Sequence, residues 1–404
     1  MHAVVSAAWS AEYPLGNSVL MNTPADAPSC PCCRRASLST LYLQENIPTT
    51  SNLLMPTRGD ALRWPRANLT LKLCGDCGFI FNSDFDPSTQ QHTARYEATQ
   101  GHSPTFNAFA RQLAERWTRQ HQLSGKQLLE IGCLHGDFIA ELCDVAQTTG
   151  IGIDPELVVA RTPQRARGQV EYIADFYGPK YAHLPADFIC CRHTLEHIAT
   201  PLQFLMSIRA AIGNRTTAVG FEVPDTRRVL EEGAFWDIYY EHCSYFTAES
   251  LRRLFVHAGF QVTHASLEYD GQYLIVDAVP AQQCDAAPPP IAPAPALSSD
   301  ALHTTLARWR AFDVTQRVAI WGSGSKAVGF LTTLGLSHES VPFVVDINPH
   351  KHGTFLPGTG QQIIAPTDLA AFQPAVVVAM NPIYRDEIQQ HLTHLGIGAE
   401  LVTL

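Results

Sequence analysis

Basic residues are scarce in this chain. Its 404 residues include 28 lysines and arginines against 38 aspartates and glutamates, which gives a formal charge of −10. Proteins that bind nucleic acid or an acidic membrane surface need clusters of lysine and arginine. We therefore expect no nucleic-acid or membrane partner, and a small molecule is the expected ligand.

The sequence also lacks a long apolar run and a secretory signal. No segment approaches the length of a membrane span. The first residues, MHAVVSAAWSAEYPLG, have neither a basic start nor an unbroken apolar stretch. The chain's eleven cysteines are therefore expected to be reduced thiols, and we predict a soluble, cytoplasmic protein.

A chain of this length is long for one hydrophobic core, so we expect two or three domains. Residues 1–27 show no periodicity and predict a flexible tail. The stretch CDAAPPPIAPAPALSSD is crowded with proline and alanine, which indicates an interdomain linker over residues 280–304. Short apolar strands alternate with helical stretches on both sides of this linker. This pattern predicts an α/β fold with a central doubly wound sheet and a smaller C-terminal Rossmann-like sheet.

Four of the cysteines form two C-x-x-C pairs. Cys30 and Cys33 lie in SCPCCRR, and Cys74 and Cys77 lie in KLCGDCGF. Each C-x-x-C turn can direct two thiolates at one tetrahedral centre, and four sulfurs satisfy Zn²⁺. The spacing predicts a closed, structural zinc site, in which Cys32 could replace either neighbour as a ligand. Four unrelated buried cysteines are the competing explanation.

A glycine turn in LLEIGCLHGDF joins a predicted strand to a predicted helix. The strand ends at Glu130, and Gly132 and Gly136 permit a sharp turn that brings the backbone close to a nucleotide-like ligand. Asp154 ends the next strand, where a carboxylate can accept hydrogen bonds from both hydroxyls of a ribose. Asp175 ends the third strand, where it would contact an adenine. A turn that serves only packing would explain the glycines equally well.

The motifs that are missing from this turn narrow the choice of ligand. It has no Gly-Lys-Ser/Thr sequence, and Leu134 departs from the G-x-G-x-x-G of dinucleotide sites. Glu130 would repel a pyrophosphate but would attract the ammonium or sulfonium group of S-adenosylmethionine (SAM). The turn resembles the E-x-G-x-G-x-G turn of class I SAM-dependent methyltransferases, so SAM is the predicted cofactor.

The stretch FWDIYYEHCSYF, residues 235–246, combines aromatic and titratable side chains without a clean period of 2 or 3.6. It follows the predicted fifth strand and supplies Tyr239, Glu241 and His242, while RHTLEHI after the fourth strand supplies His197. A neutral histidine suits proton removal near pH 7, and a phenol or carboxyl group can stabilise charge on a neighbouring oxygen. Core aromatics beside a solvated Glu-His pair would be the alternative.

The order of these features resembles one enzyme family. Paired C-x-x-C turns, a methyltransferase-like sheet, a Y-x-E-H segment and a second Rossmann-like domain resemble the zinc-containing SAM-dependent C-methyltransferases of nucleotide-linked deoxysugar biosynthesis, which include the tetronitrose C-methyltransferase. The resemblance implies a zinc-binding domain with its connector over residues 28–110. It implies a methyltransferase domain over residues 111–279 and a C-terminal Rossmann-like domain over residues 305–404.

The resemblance also implies roles for single residues. His242 would be the base that removes a proton from the carbon next to a ketone, assisted by Tyr239, Glu241 and His197. Tyr96, in ARYEATQGHSPTF, would be a further tyrosine of this site. The resulting enolate would attack the methyl group of SAM, and the acceptor would be a keto sugar linked to a nucleotide.

A second glycine turn lies in AIWGSGSKAVGF. Gly322, Gly324 and Ala327 fit G-x-G-x-x-A, and Asp346 ends the following strand, as in an NAD site. Lys326 and the exposed amides could equally hold the phosphates of the acceptor. The resemblance favours packing or phosphate binding over NAD.

Two other functions remain compatible with these motifs. The same cofactor site would also serve an O- or N-methyltransferase acting on another small metabolite. A non-enzymatic NAD-binding protein is the second alternative, because the C-terminal turn alone fits that ligand.

Overall fold

The computed structural model describes residues 29–164, 168–281 and 297–404 and contains three sheets of four, seven and five strands. The predicted α/β fold with two Rossmann-like sheets is confirmed. The tail predicted for residues 1–27 lies outside the described residues, as does most of the predicted linker. Among the described residues, no helix is both long and apolar enough to cross a membrane.

The N-terminal sheet is antiparallel and has the order β1-β2-β3-β9. Its strands are β1 (Leu38–Pro48), β2 (Arg66–Cys74), β3 (Ile80–Asn82) and β9 (Ser244–Tyr245). Helix α1 (Arg58–Leu62) lies between the first two strands. Because β9 comes from the aromatic stretch of residues 235–246, that stretch joins the N-terminal sheet to the central part of the chain.

The central sheet has the order β10-β11-β8-β7-β4-β5-β6. Its parallel strands are β4 (Leu128–Ile131), β5 (Gly150–Ile153), β6 (Val170–Ile173), β7 (Phe188–Arg192) and β8 (Ala218–Pro224); β10 (Phe260–Glu268) and β11 (Tyr273–Pro280) form the antiparallel edge. From β4 the chain adds β5 and β6 on one side of the sheet and then β7 and β8 on the other side, so the strand order switches between β4 and β7. In open α/β sheets, ligands bind at such a switch point, beyond the carboxyl ends of the strands.

Helices cover the central sheet and bury their apolar sides against it. They are α2 (Pro104–His121), α3 (Asp137–Ala146), α4 (Pro201–Ile212) and α6 (Ala248–His257), whereas α5 (Thr226–Glu232) buries Val229 and Leu230 among residues from the N-terminal and C-terminal parts of the chain. Helix α2 begins where the Ser103 hydroxyl accepts a hydrogen bond from the amide of Phe106, and it buries Leu113 and Trp117. The side chain of Trp117 donates to Asp277 in β11 at 2.7 Å, which satisfies both groups inside the core.

The C-terminal sheet is parallel and has the order β14-β13-β12-β15-β16. Its strands are β12 (Val318–Trp321), β13 (Phe343–Val345), β14 (Gln362–Ile364), β15 (Val376–Ala379) and β16 (Glu400–Thr403), and its helices are α7 (Asp300–Arg310), α8 (Ser325–Leu334), α9 (Leu369–Phe372) and α10 (Arg385–His394). Helix α7 begins at Asp300, so residues 300–304 are helical and not part of the predicted linker. The helical segment therefore starts earlier than its sequence indicated.

One hydrophobic cluster joins the N-terminal sheet, the aromatic stretch and the C-terminal sheet. Tyr42 of β1, Phe235 and Trp236 of the stretch, and Phe330 of α8 are buried in it together. The backbones approach so closely that a Cβ at Gly329 would lie 2.6 Å from the carbonyl oxygen of Trp236. The aromatic stretch is therefore a packed junction between the sheets.

Candidate active site

The carboxyl ends of the parallel strands in the central and C-terminal sheets face one cavity of about 1430 Å³. The first glycine turn and Asp154 line it from the central sheet, and residues 321–326 with Asp346 line it from the C-terminal sheet. Tyr239, Glu241 and His242 line the same cavity. Segments that are far apart in sequence thus meet around a single space.

The first glycine turn has the backbone that its sequence predicts, with one exception. Gly132 has a φ of +76° and Gly136 a φ of +84°, values that residues other than glycine rarely adopt. A Cβ at Gly132 would collide with Thr194, and one at Gly136 would collide with Tyr172. Leu134 also has a positive φ, of +49°, although it is not glycine. Gly132 and Leu134 line the cavity, whereas Gly136 serves the tight entry into α3.

Glu130 is a buried carboxyl group at the edge of the cavity. It is 2% exposed, and Oε2 accepts a hydrogen bond of 2.9 Å from the amide of Ile139. Burial, opposed by Arg192 and aided by the nearby Asp154, raises the pKa of Glu130 to about 8. A cation bound here would favour the ionised form, so this group fits a sulfonium or an ammonium ligand.

Asp154 lies at the end of β5, as predicted. Its Oδ2 accepts from the amide of Leu134 and its Oδ1 from the amide of Glu156, both at 2.7 Å. These two bonds fix the carboxylate against the glycine turn, where it lines the cavity. Burial raises its pKa and that of Glu156, the latter to about 7.

Asp175 follows the end of the third parallel strand, β6, as predicted, but it does not line the cavity. Its carboxylate is paired with Lys180 and accepts a hydrogen bond of 2.6 Å from the Tyr181 hydroxyl. Phe176 and Tyr177 line the cavity next to it, and Asp175 does not. In this structure the carboxylate is engaged by Lys180 and Tyr181, and the contact with an adenine stays a prediction.

Three side chains of the predicted catalytic set lie together. The hydroxyl of Tyr239 is 2.7 Å from Nε2 of His242, and the rings of His197 and His242 are nearly perpendicular with centroids 4.8 Å apart. Burial lowers the pKa of His242 well below its usual value, and the nearby His197 and His193 lower it further. His242 is therefore neutral at pH 7 and able to accept a proton.

Glu241 faces a different set of groups. Its Oε1 accepts from the Thr50 hydroxyl at 2.6 Å, and its Oε2 accepts from the amide of Ser51 at 2.8 Å and from the Ser51 hydroxyl. These bonds tie the aromatic stretch to the segment after β1. Both oxygens of Glu241 are thus engaged with the N-terminal segment, away from the histidine pair.

Tyr96 lies on the cavity wall. Its backbone forms an isolated bridge with Leu53, and its side chain bonds to Asn52. Burial raises its pKa well above the usual value, and the nearby Glu241 and Glu156 add to the effect. The hydroxyl is therefore protonated and can donate a hydrogen bond at neutral pH.

The structure adds residues that the sequence analysis did not select. Glu196 and His193 line the cavity beside His197, after the carboxyl end of β7. His193 has a φ of +48° and lies 2.6 Å from the Glu222 carboxylate, which also binds Arg192. Burial lowers the pKa of His193, but the carboxylates of Glu222 and Glu196 together outweigh burial and raise the pKa to about 9. The sequence offered one signal for His193 and Glu196: both residues directly follow the end of a predicted strand, where ligands bind in α/β sheets.

At the second glycine turn, the carboxylate of Asp346 accepts hydrogen bonds from neighbouring residues of the protein. It accepts from the amide and hydroxyl of Ser323, from the amide of Asn348 and from Lys351. The cation of Lys326 is likewise paired, with Asp237, which also binds Arg228. This turn is built like the first one, and its residues line the same cavity.

The four predicted cysteine ligands lie in one cluster. The sulfurs of Cys30 and Cys77 are 3.6 Å apart, those of Cys33 and Cys74 are 3.5 Å apart, and all four lie within 4.8 Å of one another. Zinc–sulfur bonds of about 2.3 Å in a tetrahedron place the sulfurs roughly 3.8 Å apart. The cluster therefore fits Zn²⁺, and Cys32 is not part of it.

Two family models match the chain. Residues 80–265 match a methyltransferase domain, and residues 298–403 match a C-methyltransferase C-terminal domain. The C-methyltransferase NovU of Streptomyces niveus is 28% identical over 187 residues, which cover 41% of this chain and 44% of the relative. The chain thus spans less than half the length of the curated relative it matches.

Solved structures resemble less than half of the chain. The magnesium protoporphyrin IX methyltransferase of Synechocystis PCC 6803 has 14% identity and a TM-score of 0.35, covering 44% of this chain and 84% of that chain. A SAM-dependent methyltransferase of Aquifex aeolicus has 17% identity and a TM-score of 0.34, covering 42% and 89%. Residues 80–265 thus match a methyltransferase domain, and the segment that follows matches a C-methyltransferase C-terminal domain.

Proposed function

We propose that this protein is a SAM-dependent C-methyltransferase whose acceptor is a keto sugar linked to a nucleotide. One observation carries the proposal: the first glycine turn and the Tyr239–His242 pair face the same cavity. A methyl donor at the turn and an acceptor at the pair would be adjacent. The match of residues 298–403 to a C-methyltransferase C-terminal domain supports transfer to carbon, and the relative NovU, a C-methyltransferase, supports the same chemistry.

The cofactor side of the cavity has the groups that SAM requires. Asp154 is placed to accept from ribose hydroxyls, and Glu130 offers a buried carboxyl group to a positive charge. The turn at Gly132 allows a close backbone approach. When bound, SAM supplies an electrophilic methyl group to the acceptor carbon.

The acceptor side has a base and hydrogen-bond donors. Neutral His242 removes the proton from the carbon next to the ketone, while its Nε2 stays bonded to Tyr239. His197 and Tyr96 line the cavity as donors for the enolate oxygen. A base that is buried and already oriented reduces the entropy lost on reaching the transition state.

The remaining parts of the chain support this arrangement. The four cysteines form a structural Zn²⁺ site, which stabilises the sheet that carries β9. The second glycine turn holds the acceptor side of the cavity in place, where the amides at the start of α8 can contact a phosphate. Glu241 positions the catalytic stretch through Thr50 and Ser51.

Binding of SAM to the purified full chain tests the cofactor assignment. Calorimetry is expected to show SAM binding that is weakened at least tenfold by Asp154→Ala and unchanged by Asp346→Ala. Absence of SAM binding, or NAD binding that Asp346→Ala removes, would contradict the proposal.

A second assay tests the acceptor. The enzyme is incubated with methyl-labelled SAM and a panel of thymidine and uridine diphosphate 4-keto sugars, with His242→Gln as the inactive control. Proton NMR of the product is expected to place the methyl group on the carbon next to the ketone. A methyl group on oxygen or nitrogen would overturn C-methylation while leaving SAM-dependent transfer intact.

A further inference from the structure

We propose that Glu196, His197 and His242 form a second metal site, which binds a divalent transition metal ion such as Zn²⁺ inside the cavity. One ligand atom of each side chain lies within 4.8 Å of the other two. Bonds of 2.0–2.1 Å in a tetrahedral zinc site place neighbouring ligand atoms roughly 3.3 Å apart. Small rotations of the three side chains would therefore bring all three ligand atoms within bonding distance of one ion.

Glu196 provides the strongest sign of a missing partner. It is 2% exposed. Its Oε1 lies 3.7 Å from Nδ1 of His193, whereas its Oε2 makes no hydrogen bond within the described part of the chain. Its backbone carbonyl accepts a 3.0 Å bond from the amide of Cys243, which holds the residue in place. A buried carboxylate oxygen without a partner is costly, and a bound cation would remove that cost.

The histidines are held as metal ligands usually are. Tyr239 contacts Nε2 of His242 at 2.7 Å, which leaves Nδ1 as the ligand atom. A ligating histidine typically uses its other nitrogen for such a bond, which fixes the ring. His197 follows Glu196 directly on the short helical turn Leu195–His197, so one local segment supplies two ligands.

The donor set selects the class of ion. Two imidazole nitrogens and one carboxylate oxygen suit Zn²⁺ and neighbouring transition metals, whereas Mg²⁺ and Ca²⁺ prefer oxygen ligands alone. Unlike the four-cysteine cluster, this set leaves a position open toward the cavity. All three residues line the cavity, so an ion can reach them.

An ion at this site would inhibit the reaction, a consequence that rests on the proposed function. Removal of a proton needs the lone pair of His242, and a metal ion would occupy that same lone pair. Inhibition by added Zn²⁺ is therefore expected to be competitive with the acceptor and not with SAM. Binding of the ion itself does not depend on the methyltransferase assignment.

The test is a calorimetric titration of ZnCl₂ into the full chain with its cysteine site already filled. The wild type is expected to bind one further equivalent, which Glu196→Gln and His197→Gln each weaken at least tenfold. His102→Gln removes a cavity histidine outside the cluster and should leave binding unchanged. Circular dichroism confirms that each variant is folded.

Two outcomes would overturn the metal site: no further equivalent in the wild type, or unchanged binding in both cluster variants. A methyl-transfer assay with added Zn²⁺ separates this inference from the proposed function. If the ion binds through these residues and transfer continues at full rate, the metal site stands and His242 is not the base. If no ion binds and transfer depends on His242, only the metal site fails.

Discussion

The hydroxyl oxygen of Tyr239 lies 2.7 Å from Nε2 of His242, and both residues line the cavity that the first glycine turn borders. The bond orients the imidazole ring and leaves its other nitrogen free to accept a proton. His242→Gln is expected to reduce methyl transfer by about 10²–10⁴-fold, the usual contribution of a general base. SAM affinity, measured by calorimetry, should stay unchanged.

Tyr239→Phe provides the matched test of that bond. The variant keeps the ring and loses the hydroxyl, so the imidazole is free to rotate. We expect a smaller loss of transfer than in His242→Gln, seen in kcat more than in the KM for the acceptor. A loss confined to KM would show that Tyr239 binds the acceptor and does not orient the base.

The pKa of Glu130 predicts that SAM binding depends on pH. Because burial raises this pKa to about 8, the free protein carries a protonated Glu130 at pH 7. A positively charged ligand favours the ionised carboxylate, so binding should release a proton. Calorimetry at pH 7 in buffers of different ionisation enthalpy is expected to detect this release, and affinity should rise between pH 6 and pH 8.

Glu130→Gln is the control for the proton release. The amide cannot ionise, so proton release and the rise in affinity should both disappear.

The ionisation of Glu130 also makes the stability of the fold depend on pH. The folded state binds more protons than the unfolded state between the usual pKa of Glu130 and about 8, so the contribution of Glu130 to stability falls as pH rises through this window. In Glu130→Gln, the free energy of unfolding should decrease less as pH rises through this window.

The four-cysteine cluster predicts that metal removal destabilises the N-terminal sheet. Cys77→Ser removes one of the four sulfurs that lie within 4.8 Å of one another. We expect it to lower the thermal midpoint and to abolish binding of one zinc equivalent, because structural zinc contributes directly to folding. Cys32→Ser lies beside the cluster and should retain the zinc, as measured by elemental analysis. Loss of zinc in Cys32→Ser would reassign the ligand.

Glu241 is expected to contribute mainly to stability. Its carboxylate accepts bonds from Thr50 and Ser51 in a buried position, and hydrogen bonds to charged groups contribute about 1.5–3 kcal/mol each. Glu241→Gln should therefore lower the free energy of unfolding by about 2 kcal/mol in denaturant titrations. Glu45→Gln, on an exposed side chain, is the control and should have little effect. If Glu241→Gln abolished transfer at full stability, Glu241 would act directly in the reaction.

The junction at Gly329 can be tested by adding one methyl group. Its Cβ would lie 2.6 Å from the carbonyl oxygen of Trp236, and neither backbone can move easily. Overpacking of this kind costs about 1–3 kcal/mol. Gly329→Ala should lower the thermal midpoint. Gly178→Ala is the control and should not, because no atom lies within 4 Å of a Cβ added at Gly178. Equal midpoints in the two variants would mean that the sheets are not packed as described.

Local patterns in the sequence determined much of the architecture and part of the site. The glycine turn, the carboxylate at Asp154 and the two C-x-x-C pairs lie where their motifs indicated, because strand ends and tight turns impose local backbone requirements. The same holds for the two Rossmann-like sheets, whose alternating strands and helices are short-range features. Asp175 shows the limit, because a neighbouring Lys180 and Tyr181 determine where its carboxylate lies.

Only the tertiary structure decided which of these elements meet. Thr50 and Ser51 bind Glu241 across about 190 residues, and no local period encodes such a pairing. The same is true of Glu196, whose unpartnered oxygen becomes evident only when His242 packs beside it. Contacts of this kind depend on packing between sheets and on burial. The chain by itself therefore specified the candidate groups, and folding selected the ones that share the cavity.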